Sequence, residues 1–151
     1  MKHSYHVPLL CVILLFSATA ARGQTAIDIE RLLDAKEITC SQAAYLVLAA
    51  ALENPPQNPE TAFGMALENG WLPAKSESGG GLTLGGLSLL IMKAFNIEGG
   101  LMYRLFPFGR YAYREMTSRG FIEGRSYSAF TVSGEQFLRI LENVLARRET
   151  E

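Results

Sequence analysis

Histidine and cysteine are the scarcest reactive residues of this 151-residue chain. Its two histidines are His3 and His6, and its two cysteines are Cys11 and Cys40. If residues 1–23 are removed as a signal, the remaining chain has no imidazole, which excludes Ser-His-Asp and Cys-His catalysis and imidazole zinc sites. It also keeps a single thiol, which excludes an internal disulfide.

Alternating apolar and polar runs, which are typical of β-strands, are also scarce. No such run exceeds four residues, so the sequence predicts a mostly helical protein. Hydrophobic residues make up 48% of the chain and charged residues 19%. This balance excludes a disordered tail and a nucleic-acid-binding arm, and it supplies enough apolar surface for one core.

The N-terminus has the order of a secretory signal. Lys2 precedes an apolar run at residues 7–16, and small residues follow at 17–23. Ten helical residues span about 15 Å, roughly half of a bilayer core, so this run fits a signal better than a membrane-spanning helix. No membrane span is expected after cleavage. We predict cleavage after Gly23, with Ala20 as the alternative, and export to the periplasm, the cell envelope or the extracellular space.

The charge of the predicted mature chain is unevenly distributed. Residues 24–151 carry 12 basic and 15 acidic side chains, a net charge of −3. Residues 24–100 sum to −5, whereas residues 101–148 sum to +4, and all eight of their basic residues are arginine. Either two complementary halves of one domain produce this asymmetry, or it orients the chain against an envelope surface.

Three short segments share the order apolar, Thr, apolar, small; they are residues 38–41, 82–85 and 130–133. An ungapped continuation aligns Leu46, Leu90 and Leu138, which predicts that all three leucines are buried toward one core. Their threonines, Thr39, Thr83 and Thr131, predict helix N-caps, and Gln42 completes a capping box with the first.

The capping and apolar patterns together predict six helices. They cover about residues 27–36, 40–53, 59–69, 84–97, 109–119 and 132–147. Gly70-Trp71-Leu72 and Gly120-Phe121-Ile122 form equivalent joints after the third and fifth of these helices. The predicted fold is mostly α, a single domain over 24–148. It has about six helices in three helix–turn–helix units, about 25–53, 59–97 and 107–147, which form a pseudo-threefold bundle.

The third unit contains a pattern known from one protein family. Tyr111-Ala112 is followed by a Gly-apolar-apolar-x-Gly turn at residues 120–124, and then by Phe130-Thr131 at a predicted helix start. This order resembles the S-layer homology motif, best over residues 110–145. The resemblance implies three motifs packed as one pseudo-threefold domain that binds cell-wall polysaccharide.

A segment rich in aromatic residues and arginine is the candidate binding site. Aromatic faces and guanidinium groups suit sugar rings and anionic polymers. The predicted binding residues are Tyr103, Arg104, Arg110, Tyr111 and Arg114. In the alternative interpretation, residues 106–108 fill the core and the arginines lie on a solvated helix. A nucleic acid is not expected as partner, because the secreted chain is acidic overall.

Other reactive or aromatic residues fit structural roles better. Trp71 is expected in the core because it aligns with Phe121. Cys40 could be an activated thiol in a first helical turn, but its repeat partners are apolar, which predicts a buried side chain. Glu115, Glu123 and Glu135 could serve as catalytic carboxylates only if the fold brought two of them together.

These observations predict an exported, non-enzymatic cell-envelope module that binds a wall polymer or an envelope protein. No cofactor, no metal and no nucleic acid is expected. The alternatives are a structural subunit of an envelope assembly with no small ligand, supported by the uncharged stretch at residues 43–52, and a small carboxylate-based secreted hydrolase.

Overall fold

The computed structural model describes residues 29–124 and 126–149. The chain divides into two compact units, Met1–Asp34 and Ala35–Glu151. In the first unit, the described residues 29–34 are helical. The predicted signal, its cleavage site and the start of the predicted helix 27–36 lie outside the described residues.

The second unit is built from six helices in its described part. They are α1 (Cys40–Ala51), α2 (Pro59–Glu68), α3 (Leu84–Ala94), α4 (Leu101–Leu105), α5 (Gly109–Ser118) and α6 (Gly134–Arg148). The mostly α class predicted from the sequence is confirmed. No helix among the described residues has both the length and the apolar character needed to cross a membrane.

Three of the helices begin where their capping residues predict. The Thr39 hydroxyl accepts the N–H of Gln42, and the Gln42 side chain accepts the N–H of Thr39, which completes the capping box of α1. The side chains of Asn58 and Thr83 cap α2 and α3 in the same position. Each cap pairs one backbone donor that would otherwise lack a partner in the first turn.

The last helix begins two residues later than predicted. Its cap is Ser133, whose side chain accepts the N–H of Gln136, whereas the Thr131 hydroxyl donates to Glu37. The predicted alignment through Thr131 is therefore wrong, and Ile140 rather than Leu138 follows its cap by seven residues. Leu138 is partly exposed, whereas Ile140 is buried.

Backbone hydrogen bonds join the three segments that precede α1, α3 and α6. The N–H of Ile38 donates to the carbonyl of Val132 (2.8 Å), that of Leu82 to Ile38 (2.9 Å), and that of Val132 to Leu82 (2.9 Å). Each segment thus donates to one neighbour and accepts from the other. The carbonyl of Val132 accepts from Ile38 in this cycle, so it does not accept the intrahelical bond that a helix beginning at residue 132 would require.

A second set of bonds satisfies the first turns of the same three helices. The N–H of Cys40 donates to Gly80, that of Leu84 to Phe130, and that of Gly134 to Ala35. In each case the acceptor is a loop carbonyl just before another of the three segments. The loops therefore supply partners for donors that a helix N-terminus leaves unpaired.

The core lies between these helices. α1 packs against α2 and α3, α3 packs against α5, and α4 packs against α5. Leu87, Leu90 and Phe137 are fully buried, whereas Leu46 is partly exposed. Ser88 is buried as well, and its hydroxyl donates to the Leu84 carbonyl, so it carries no unmet hydrogen bond into the core.

Two helices end two or three residues earlier than predicted, and one short helix was not predicted. α1 ends at Ala51, and α3 ends at Ala94 because Asn96 adopts a left-handed φ of 52°. Gly70 and Gly120 take positive φ after α2 and α5, as the predicted joints require. The short helix α4 was not predicted. Its N-cap is Gly100, which has no side chain that could accept a hydrogen bond from the first turn.

Candidate functional site

The predicted binding residues lie on two helices, Tyr103 and Arg104 on α4 and Arg110, Tyr111 and Arg114 on α5. α4 contacts the rest of the molecule chiefly through one side chain, Tyr103, which is 6% exposed. Its ring lies against Gly99, where an added Cβ would clash with a ring carbon of Tyr103. Of the five predicted binding residues, Tyr103 is therefore the one that solvent does not reach, and it anchors α4.

The Tyr103 hydroxyl is buried without a hydrogen-bond partner among the described residues. Burial also raises the pKa of this phenol above its usual value, because the charged form loses its hydration. The ammonium of Lys93 lies 5.8 Å from the ring centroid, a distance at which a cation is attracted to the ring face. Tyr103 thus holds α4 in place at the cost of one unmet hydrogen bond.

The other four predicted residues are accessible. Arg104, Arg110 and Arg114 are exposed and Tyr111 is partly exposed. Arg110 and Arg114 are four residues apart on α5 and so share one face. In the part of the chain that the structure describes, these three guanidinium groups form neither an ion pair nor a hydrogen bond. Their positive charge is available to a partner.

Exposed apolar side chains accompany the arginines. The prediction that residues 106–108 could fill the core is wrong, because Phe106 is 48% and Phe108 64% exposed. Leu101, Met102 and Leu105 of α4 are exposed as well. We call these five side chains, Leu101, Met102, Leu105, Phe106 and Phe108, the apolar edge. The sequence signals for it are Gly99-Gly100 and Pro107, which confine the local helix to five residues.

One ring contact connects the apolar edge with α5. The centroids of Phe106 and Tyr111 lie 6.2 Å apart, within the range of interacting aromatic pairs. Tyr111 is flanked by Arg110 and lies one turn before Arg114. The edge therefore adjoins α5 at Tyr111, next to Arg110 in the chain, and no Asp or Glu occurs in the sequence between Glu98 and Glu115.

A cleft of about 390 Å³ lies beside α4. Its lining includes Lys93 and Arg104 as cations and Glu98 as an acid. Cations thus outnumber acids in it by one, and a small anionic group is the ligand that this lining favours.

A larger cleft of about 480 Å³ is lined by arginines that serve the fold. Arg147 donates to the Arg119 carbonyl at the end of α5, and Arg148 donates to the Phe95 carbonyl at the end of α3. Their guanidinium groups also lie over the rings of Phe121 and Phe95. These contacts satisfy carbonyls at helix C-termini, where positive charge is favourable.

Cys40 is buried, as predicted, with an exposed fraction of 3%. Burial raises the pKa of its thiol, and a hydrogen bond with Ser76 acts in the opposite direction to a lesser extent. A raised pKa lowers the thiolate population on which nucleophilic reactivity depends. Trp71, which was expected in the core, is partly exposed, whereas Phe121 at the equivalent joint is buried.

The candidate carboxylates are engaged elsewhere or exposed. Glu115 lies 3.9 Å from Arg119, and Glu135 pairs with Arg139 at 2.6 Å, while Glu123 is exposed. Among the described residues, no group of three or more His, Cys, Asp or Glu side chains could hold a metal ion.

Comparisons of the chain with protein-family models, with curated proteins and with solved structures found no match.

Proposed function

We propose that this chain is an exported, non-enzymatic module of the cell envelope that attaches to an anionic envelope component through residues 101–114. The observation that carries the proposal is the coincidence of three unpaired exposed arginines with five exposed apolar side chains on a stretch of chain, residues 99–114, that contains no Asp or Glu. Unpaired arginines on a surface favour phosphate or carboxylate partners, which guanidinium groups bind through two parallel hydrogen bonds.

We further propose that the segments that precede α1, α3 and α6, together with the helices that they start, repeat around a pseudo-threefold axis, as the three predicted units of about 25–53, 59–97 and 107–147 require. The cyclic bonds among Ile38, Leu82 and Val132 support this arrangement. So does the constant offset of 50 residues between Ala62 and Ala112, Gly70 and Gly120, and the caps Thr83 and Ser133. A core joined by these hydrogen bonds would hold α4 and α5 rigidly, as a preformed binding surface requires.

The resemblance to S-layer homology motifs favours an envelope polymer as the anionic component, and an acidic envelope protein offers the same carboxylate chemistry. The structural-subunit alternative rests on the uncharged stretch at residues 43–52. Ala43, Ala44, Val47 and Leu48 of this stretch are buried within the unit itself, and its other six residues are partly exposed or exposed, so only those six could contact another subunit.

Retention of the purified protein on isolated envelope material tests the proposed function. We expect the wild type to be retained and the double variant Arg110→Ala and Arg114→Ala to be lost. The matched control replaces two exposed cations outside the site, Lys75→Ala and Arg139→Ala, and should be retained. Retention that the Arg110 and Arg114 changes leave intact would contradict the proposal. Crosslinking in whole cells to one stoichiometric protein neighbour, unchanged in the double variant Arg110→Ala and Arg114→Ala, would favour the structural subunit instead.

A further inference from the structure

The apolar edge is dominated by side chains that suit hydrocarbon. Leu101 is 67%, Met102 52% and Leu105 60% exposed. Aliphatic groups have no ring face on which a sugar could stack, and the ring of α4 that could do so, Tyr103, is buried. A wall polysaccharide would therefore gain little from these three side chains, whereas an apolar phase would gain from all of them.

Three exposed arginines lie on the helix that carries most of the edge and on the helix that follows it. Arg104 lies within α4, and Arg110 and Arg114 lie on α5 beside Tyr111, which contacts Phe106. Arginine can keep its guanidinium group in a polar layer while its methylene stem covers apolar surface. Apolar side chains bordered by arginines thus match a boundary at which hydrocarbon meets negative charge.

The cleft beside α4 also suits a boundary at which hydrocarbon meets negative charge. It has a volume of about 390 Å³, and its lining includes Lys93 and Arg104. Glu98 also lines it and opposes an anion, so the two cations leave a net charge of +1 for one headgroup phosphate.

We infer that the anionic component is a lipid bilayer, and that the apolar edge inserts into its surface while Arg104, Arg110 and Arg114 contact anionic headgroups. This inference rests on the proposed function and names its partner. The contact is peripheral, since the edge consists of side chains on a five-residue helix and the loop after it. These side chains reach about 5–10 Å into the boundary between headgroups and acyl chains.

Vesicle flotation with the full chain tests the inference. One set of vesicles consists of phosphatidylcholine alone, and the other contains about one third phosphatidylglycerol to supply negative charge. We expect binding to the second set to exceed binding to the first by about tenfold or more, because each arginine near an anionic surface adds to the affinity. All variants keep the same N-terminus, so any contribution of residues 7–16 is common to them.

Two apolar variants separate insertion from charge attraction. Leu101→Ser with Leu105→Ser should weaken binding to the anionic vesicles by about tenfold or more, since two apolar side chains lose their transfer into hydrocarbon. Phe106→Ser with Phe108→Ser repeats the test at the other end of the edge. The matched control is Tyr127→Ser with Phe130→Ser, which removes two rings of 71% and 55% exposure outside the edge and should change binding by less than about twofold.

The outcomes distinguish this inference from the proposed function. Absence of vesicle binding, or equal binding by both apolar variants and the control, overturns the inference. If envelope material then still retains the protein in a manner that depends on Arg110 and Arg114, the proposed function stands with a polymer or protein partner. If envelope material retains nothing, both fail. Self-association that Leu101→Ser and Leu105→Ser abolish, without vesicle binding, would instead assign the edge to a second copy of the chain.

Discussion

At the scale of single residues, Tyr103 shows how a side chain that looks suited to a ligand can serve the fold. Its position among arginines made it a candidate for stacking, yet five neighbouring apolar side chains are exposed and this one is buried. Sequence cannot distinguish these cases, because an aromatic ring is equally suited to a core and to a binding surface. In the structure the ring of Tyr103 lies against Gly99 and below the ammonium of Lys93, two contacts that depend on the fold.

Replacing Tyr103 by Phe should stabilise the protein. The change removes a buried hydroxyl that lacks a partner, so we expect a gain of about 1 kcal/mol in the free energy of unfolding. Urea denaturation measures it. Tyr111→Phe, at a partly exposed position, is the control and should change stability by less than about 0.5 kcal/mol. A less stable Tyr103→Phe variant would mean that the hydroxyl has a partner after all.

The same substitution should alter stability at high pH. Burial raises the pKa of Tyr103 above 10.0 in the folded state, so the unfolded chain releases this proton first. Stability of the wild type therefore falls as pH rises above about 10. The Phe variant should lose less stability over that range.

At the scale of helices, the capping residues predicted where most elements begin. Thr39, Asn58 and Thr83 each precede the helix that they cap. Thr131 and Ser133 are both suitable caps two residues apart, so local sequence could not choose between them. The choice is made by Val132, which is paired with two distant segments. The helix α4 was missed because packing through Tyr103, rather than periodicity, defines it.

The position of the last cap can be tested directly. Ser133→Ala should cost about 1 kcal/mol, because it removes the acceptor for the Gln136 N–H. Thr131→Ala removes only the exposed hydrogen bond to Glu37 and should cost less than about half as much. Thermal unfolding measures both losses of stability. Equal losses, or a larger loss for Thr131→Ala, would support Thr131 as the cap of the last helix and contradict the structure.

The crossing of α3 and α5 depends on two glycines. A Cβ added at Gly109 would lie 2.8 Å from the backbone of Gly85, and neither backbone can yield without moving its helix. Gly109→Ala should therefore destabilise the protein by about 1–3 kcal/mol. Gly64→Ala is the matched control, because it lies inside α2 with open space around it and should stabilise by about 0.5–1 kcal/mol. Similar melting temperatures for the two variants would contradict this close packing.

At the scale of the whole molecule, the fold class was predictable and the proposed binding surface only partly so. The absence of strand periodicity and the repeated caps indicated a helical protein. The cluster of arginines at residues 104–114 could be seen in the sequence, because no acid interrupts it. The exposure of Phe106 and Phe108 could not be predicted. The local pattern Phe-Pro-Phe suits both a core and a surface, and only the packing of the whole chain decides between them.

The most direct test of the central claim is a salt titration of envelope binding, with a thermal melt of the same samples. Exposed charges are screened over about 8 Å at physiological ionic strength, so binding of the wild type should weaken steadily as salt rises. Arg110→Ala with Arg114→Ala should bind poorly at every salt concentration and yet melt within a few degrees of the wild type, since exposed unpaired charges add little to stability. Salt-insensitive binding, or a double variant that is strongly destabilised, would contradict the account.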